Sequence, residues 1–198
     1  MNTKVLIRQY DEPPIRESEI LRYARCNEAC EETLVLLRSC LEEARKVLTY
    51  KVCFSELPVN INDHICDFGF LSFKSESLSK NLCNCTSVIL FCATIGLELD
   101  RLISKYSRLS PARALLLHAI GTERIESLCD VFCKEISAEQ KLLSRPRFSP
   151  GYGDIPLELQ KDILAFLQSH SNIAVFLNES MLMSPTKSVT AFMGLYEK

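Results

Sequence analysis

The sequence has no apolar run long enough to cross a membrane, which takes roughly 18 or more residues. Its longest run, Ser87 to Ile95, suits a buried strand instead. It also lacks charge of one dominant sign: the formal net charge is −2, so there is no global pull toward nucleic acid or an anionic membrane. Met1 to Asp11 mixes Lys4, Arg8 and Asp11 with apolar residues and has no signal-peptide core, so the expected location is cytoplasmic. No Cys-x-x-Cys pair occurs, and the three histidines, His64, His118 and His170, follow no zinc-finger spacing. No Gly-x-Gly-x-x-Gly follows a strand, which argues against a Rossmann-type nucleotide site. No catalytic triad and no metal-ligand set stands out, so none is assigned.

Apolar residues make up 47% and charged residues 24% of the 198 residues, an ordinary globular balance. That length bounds the chain to one domain or at most two small ones, and a single domain over 1–198 is expected. The ten cysteines are many for a chain expected in a reducing compartment. Cys26 with Cys30, and Cys129 with Cys133, are four apart in helical stretches, so each pair is expected to share a helix face. The leading reading is small buried hydrophobes, and a redox or metal-binding role is the alternative. Cys83-Asn84-Cys85, in a loop, is the exception that need not be buried.

Hydrophobic periodicity predicts helices over Pro14 to Arg25 and Glu28 to Val47, and strands over Leu48 to Leu57 and Phe68 to Phe73. Pro58 to Asp63 reads as a turn between them. A helical turn is expected at Leu78 to Leu82. Val88 to Thr94 reads as a central strand buried on both faces. Leu97 to Tyr106 is a helix, and Ser110-Pro111 caps and opens the longest one, which runs to Leu143. After a loop from Ser144 to Ile155 come a helix, Leu157 to Gln168, and two strands, Leu177 to Met183 and Ser188 to Leu195, expected to pair as a hairpin across Ser184-Pro185-Thr186. The fold class is α+β, helices packed on a mainly antiparallel sheet.

The chemistry concentrates in Arg147-Phe148-Ser149-Pro150-Gly151-Tyr152-Gly153-Asp154. Glycine lets a backbone approach a ligand closely. Arg147 can grip a carboxylate with two parallel hydrogen bonds, and Tyr152 offers a flat face with a hydroxyl at its edge. The same residues also suit an ordinary turn carrying a surface arginine.

Arg147, Gly151 and Tyr152, spaced Arg-x-x-x-Gly-Tyr with Pro150 directly before the glycine, resemble the S-adenosylmethionine motif of the activation domain of cobalamin (vitamin B12)-dependent methionine synthase. Leu177-Asn178-Glu179-Ser180 is similar to that family's Leu-Thr-Glu-Ser, and Ser188-Val189-Thr190 to its Ser-Val-Ser, with Met183 and Pro185 between them. Ile89 to Glu98 resembles the strand and helix start upstream. Ala119 to Cys133 resembles the stretch whose glutamate contacts the ligand, with Glu126 at that position. The resemblance covers about 85–195, while 1–75 match weakly. Ser184 stands where the family has tryptophan. The length is similar to that of free-standing members.

The resemblance implies a subunit that binds S-adenosylmethionine and supports reductive methylation, the reactivation of oxidised cobalamin, in a partner methionine synthase. Its partners would be the cobalamin-binding domain in trans and a flavodoxin-like electron donor, with no nucleic acid and no membrane. S-adenosylmethionine needs a cation for its carboxylate, an anion for its ammonium, and backbone or aromatic contacts for adenine. Arg147 fits the first and Glu126 the second. Pro150, Gly151, Tyr152 and Gly153 would supply mostly backbone contacts, Phe148 an apolar wall, and Glu179 a further contact. His118 reads as a core histidine rather than a cobalt ligand. The alternatives left open are a methyltransferase with another substrate, a cysteine-based redox or metal-binding module, and a scaffold that keeps the activation fold but has lost its ligand.

Overall fold

The structure, a computed structural model, describes residues 4–26 and 28–197. In chain order the elements are β1 (Leu6–Tyr10), α1 (Glu17–Tyr23), α2 (Glu31–Arg45), β2 (Tyr50–Pro58), β3 (Asn60–Asn62), β4 (Ile65–Asp67), β5 (Ser72–Lys74), α3 (Glu76–Asn81) and β6 (Ser87–Thr94). There follow α4 (Glu98–Leu109), α5 (Pro111–Gln140), β7 (Leu143–Ser144), α6 (Leu159–Phe166), α7 (Ser169–Ile173), β8 (Phe176–Leu177), β9 (Met183–Ser184) and β10 (Ser188–Tyr196). Five strands form an antiparallel sheet in the order β1-β2-β6-β10-β7. The fold is α+β, as the patterning predicts.

The sheet is covered on both faces, and the alternation along β6 shows how. Ile89, Phe91 and Ala93 enter a core with α1, α2, α4 and α5, while Val88, Leu90 and Cys92 enter another with α3, α6 and the small strands. A strand apolar on both faces gives a continuous hydrophobic run, and this is why β6 is legible as central. On the first face Phe132 of α5 meets Phe54 and Phe91, ring centres 5.1 and 4.9 Å apart.

Several expectations are corrected. Leu177 to Met183 is not one strand, and it does not pair with Ser188 to Leu195. β8 and β9 close a small hairpin on each other around Asn178, whose side chain accepts from the N–H groups of Ser180 and Leu182. β10 instead runs beside β6, from Ser188 opposite Thr94 to Leu195 opposite Ser87. The reason is burial: Ala191, Phe192 and Met193 fill both cores, whereas Asn178 to Leu182 is a largely exposed turn.

The Pro58 to Asp63 stretch, read as a turn, contains β3, paired with β4 across Asp63 and His64, which take φ of 46° and 62°. A two-residue hairpin loop of type I′ needs positive φ at both positions, and here it is met without the usual glycine. Cys26 and Cys30 precede α2 and lie outside helix, so the shared helix face does not exist for them. Cys129 and Cys133 are buried on α5, as are Cys40, Cys53, Cys66 and Cys92 in their elements, while Cys30 and Cys83 are exposed. Ser110 precedes α5 with Pro111 in its first turn, but the Ser110 hydroxyl makes no capping bond. Edge strand β1 and the short α7 had no expectation attached.

The long α5 carries a charged pair into the interior. Arg124 and Glu123 are both fully buried and joined at 2.6 Å. Arg124 donates to the carbonyls of Pro13 (2.6 Å) and Pro14 (2.8 Å). Glu123 accepts from the Ser127 hydroxyl (2.7 Å) and the Arg16 N–H (3.2 Å). Removing one partner strands the other in low dielectric. Arg124→Ala is therefore expected to lower unfolding free energy by about 3–5 kcal/mol, read from urea denaturation, and a loss below about 1 kcal/mol would contradict the role given to this pair.

Candidate functional site

Glu126 and Asp130 are four apart on α5, so their side chains leave the helix on the same side. Arg147 meets both, its Nη2 donating to Glu126 at 2.7 Å and its Nη1 to Asp130 at 2.8 Å. The segment that delivers Arg147 starts where α5 ends, at Lys141 in left-handed conformation (φ 57°). It then runs along β10. The Arg145 N–H donates to the Gly194 carbonyl, and Phe148 and Phe192 exchange both backbone bonds, at 2.9 and 2.8 Å. Alternation along this extended stretch puts Phe148 against the second core and turns Arg147 to α5. Asp130 also contacts the Arg16 guanidinium at 3.3 Å. Burial opposes the charge on Arg147, while the hydrogen bond with Asp130 and the charge of Glu126 favour it, and the net effect keeps the arginine protonated.

The loop that follows is closed by its own bonds. Tyr152 N–H donates to Ser149 carbonyl at 3.1 Å, Ile155 N–H to Tyr152 carbonyl at 3.1 Å, and Gly151 N–H to Ile155 carbonyl at 3.0 Å. Gly151 (φ 84°) and Gly153 (φ 58°) sit in the left-handed region. At Gly153 a Cβ would stand 2.9 Å from the Ser77 hydroxyl, so glycine serves close packing as well as conformation. Asp154 anchors the loop to the start of α3, accepting from the Ser75 hydroxyl (2.5 Å) and from the N–H groups of Glu76 (2.6 Å) and Ser77 (3.2 Å).

Beside Arg147 opens a cleft of about 400 Å³, within the range typical of small-molecule sites. Glu126 and Arg147 supply charge, Phe148, Ser149, Pro150 and Tyr152 form the loop wall, and Met183 with Ser188 to Thr190 form the opposite side. Gln160 reaches it from α6. The Oε1 of Gln160 and the Oγ1 of Thr190 are buried and have no hydrogen-bond partner among the described residues.

Of the residues singled out in the sequence, Arg147, Glu126, Phe148, Pro150 and Tyr152 thus meet around one cleft. Gly151 and Gly153 shape the loop without lining the cleft. Glu179 stands in the exposed β8–β9 turn and lines a different groove, with Lys161 and His170. His118 is exposed rather than a core histidine, and partial desolvation together with the charge of Lys187 lowers its pKa. Asp130, Gln160 and Thr190 carry polarity into the site without having been named for it. Asp130 could have been found from its spacing to Glu126, whereas nothing local marks Gln160. Among the described residues no group of three or more His, Cys, Asp or Glu could hold a metal ion, and no helix is long and apolar enough to cross a membrane.

The bonds to Ser75 and to the Glu76 and Ser77 N–H groups hold the Asp154 pKa at about 2, below its ordinary 3.8. A carboxylate depressed in the folded state stabilises it above the unfolded pKa, and loses that contribution as pH falls through the folded value. Unfolding midpoints measured between about pH 4 and pH 2 should fall more steeply for the wild type than for Asp154→Asn. Parallel curves would remove the anchoring role.

No protein-family model matches the sequence, and no curated protein sequence matches it. Among solved structures the fold is similar to the crystal structure of the MetH reactivation domain bound to AdoHcy, with a TM-score of 0.70. The match covers 98% of this chain and 79% of that one at 14% sequence identity, a likeness of fold.

Proposed function

We propose that the cleft beside Arg147 binds S-adenosylmethionine, and that the protein holds this methyl donor for reductive methylation of oxidised cobalamin carried by a partner methionine synthase. The observation that carries the reading is the Arg147–Glu126 contact of 2.7 Å inside the cleft. The amino-acid end of the ligand is a zwitterion. Its ammonium matches Glu126 and its carboxylate matches the guanidinium of Arg147, so the ligand can enter by exchanging one ion pair for two. Asp130 and Arg16 lie behind this pair. They keep Arg147 located when Glu126 turns to the ammonium.

Further support comes from the rest of the lining. Phe148 and Tyr152 offer flat apolar surface. The buried, unpaired Gln160 and Thr190 oxygens suit a ligand that brings its own hydrogen-bonding groups. The neighbouring fold described above was solved with AdoHcy, the demethylated form of the proposed ligand. In this reading the sulfonium supplies the methyl group. The chain's own residues bind, orient and shield the donor, with no acid, base or covalent nucleophile among them. The cobalamin domain and a flavodoxin-like electron donor would be recruited in trans.

Calorimetric titration with S-adenosylmethionine is expected to show binding that Arg147→Ala weakens by about 1.5–3 kcal/mol, the range for a bond to a charged group. Adding a methionine synthase cobalamin domain, a one-electron reductant and methyl-labelled donor should then transfer label to cobalamin only when this protein is present. Binding without transfer would leave a ligand site serving another methyl acceptor. Absence of binding, alone and with the cobalamin domain, would sink the proposal.

A further inference from the structure

Gln160 is one of few polar side chains taken almost wholly out of water, at 7% exposure, and Thr190 is more buried still at 1%. Neither Gln160 Oε1 nor Thr190 Oγ1 has a partner among the described residues, and both residues line the cleft. Both oxygens are themselves shielded, and buried polar atoms are nearly always paired, so an orphan oxygen on a residue that lines a cleft marks where a ligand's own group can complete the pairing once the side chain turns to it. The chemistry of that group follows from the orphan. A glutamine Oε1 only accepts, so its partner must bring an N–H or O–H, and the amide nitrogen beside it donates. An amide presenting acceptor and donor side by side is the complement of an aminopurine edge, where an exocyclic amine adjoins a ring nitrogen.

We infer that Gln160 is the base-reading residue of the cleft, accepting from the exocyclic amine of a 6-aminopurine, with the Thr190 hydroxyl as a second, base-independent anchor. This rests on the reading of the cleft as an S-adenosylmethionine site, and it goes beyond that reading by assigning base specificity to a side chain of α6 rather than to the backbone of the Pro150 to Gly153 loop. The positions agree with such a division. Thr190 lies opposite Cys92 in the sheet and on the same side of β10 as Phe192, which joins α6 in the second core. Gln160 sits at the first turn of α6, its N–H already bonded to the Leu157 carbonyl at 3.0 Å, so its backbone is placed and its side chain is left for the cleft. The two residues line the same cleft as Glu126 and Arg147, so one ligand can meet the orphan oxygens and the ion pair together.

The test is a comparison of two ligands by calorimetry, S-adenosylhomocysteine and its analogue with hydrogen in place of the exocyclic amine. The wild type should bind the amine-bearing ligand at least about 10-fold more tightly, since the analogue leaves the glutamine oxygen orphaned. Gln160→Met, which keeps the volume and removes the amide, should bind the two within about 2-fold of each other. Gln160→Leu serves as a second variant with the same expectation. Thr190→Val should weaken both ligands and keep the discrimination. Without ligand the melting midpoint of Gln160→Met should not fall, because an orphan polar group has been removed, whereas a structural glutamine would lower it. Equal binding of the two ligands by the wild type, or discrimination that survives in Gln160→Met, would overturn the inference while leaving the cleft's ligand standing. Failure of both ligands to bind would remove the reading of the cleft and the inference together.

Discussion

The full burial of Arg124 is the constraint from which the rest of the architecture follows. A guanidinium cannot lose its hydrogen bonds without severe cost in a low-dielectric interior, so it draws the Pro13 and Pro14 carbonyls, Glu123 and Ser127 around itself. That requirement presses the segment before α1 onto α5 and sets Arg16 where it reaches both Glu123 and Asp130. From Asp130 the chain of alternating charge continues to Arg147 and then to Glu126, at the cleft. One line of ion pairs therefore joins the deepest charge in the protein to the site. Through Asp130 the N-terminal segment is thus linked to Arg147.

This arrangement shapes what the site can do. An arginine held by two carboxylates is already oriented, so under the proposed function a ligand carboxylate would meet a fork whose rotamer freedom has been spent in folding. The partial exposure of Arg147 and Glu126, 24% and 38% at their side chains, leaves their contact open to exchange. The pair fully inside, Glu123 with Arg124, has no such freedom and acts as support. The cysteines belong with the support as well. Cys53 faces Cys92 across neighbouring strands, and burial pushes the Cys92 thiol well above its ordinary range. Such thiols remain protonated and behave as small hydrophobes.

The parts of the fold legible in the sequence are those whose physics is local. β6 shows itself by an unbroken apolar run, α5 by long periodicity opened at a proline, and the Arg147 to Asp154 loop by its glycines and prolines. What escaped detection depends on partners distant in sequence. β1 is an edge strand with little burial on either side and no alternation to read. The turn at Asp63 and His64 takes positive φ without glycine. The stretch from Leu177 to Met183 has strand-like residues, yet β10 found its partner in β6, far earlier in the chain, from Ser188 opposite Thr94 to Leu195 opposite Ser87.

For the candidate site, the sequence offered its charged components, an arginine ahead of a Gly-Tyr turn and a glutamate at the margin of a helix face, and the family resemblance singled them out. These are chemical identities, and identity needs no coordinates. Only the tertiary structure decided that Arg147 and Glu126 touch, that Asp130 shares the same arginine, and that Glu179 stands at another groove. It alone exposed Gln160 and Thr190 as unpaired. Whether a polar atom is satisfied depends on every neighbour that packing brings near it, and in this chain those neighbours come from α6, β10 and the sheet interior. Pairing and burial are properties of the assembled core, and no stretch of sequence contains them.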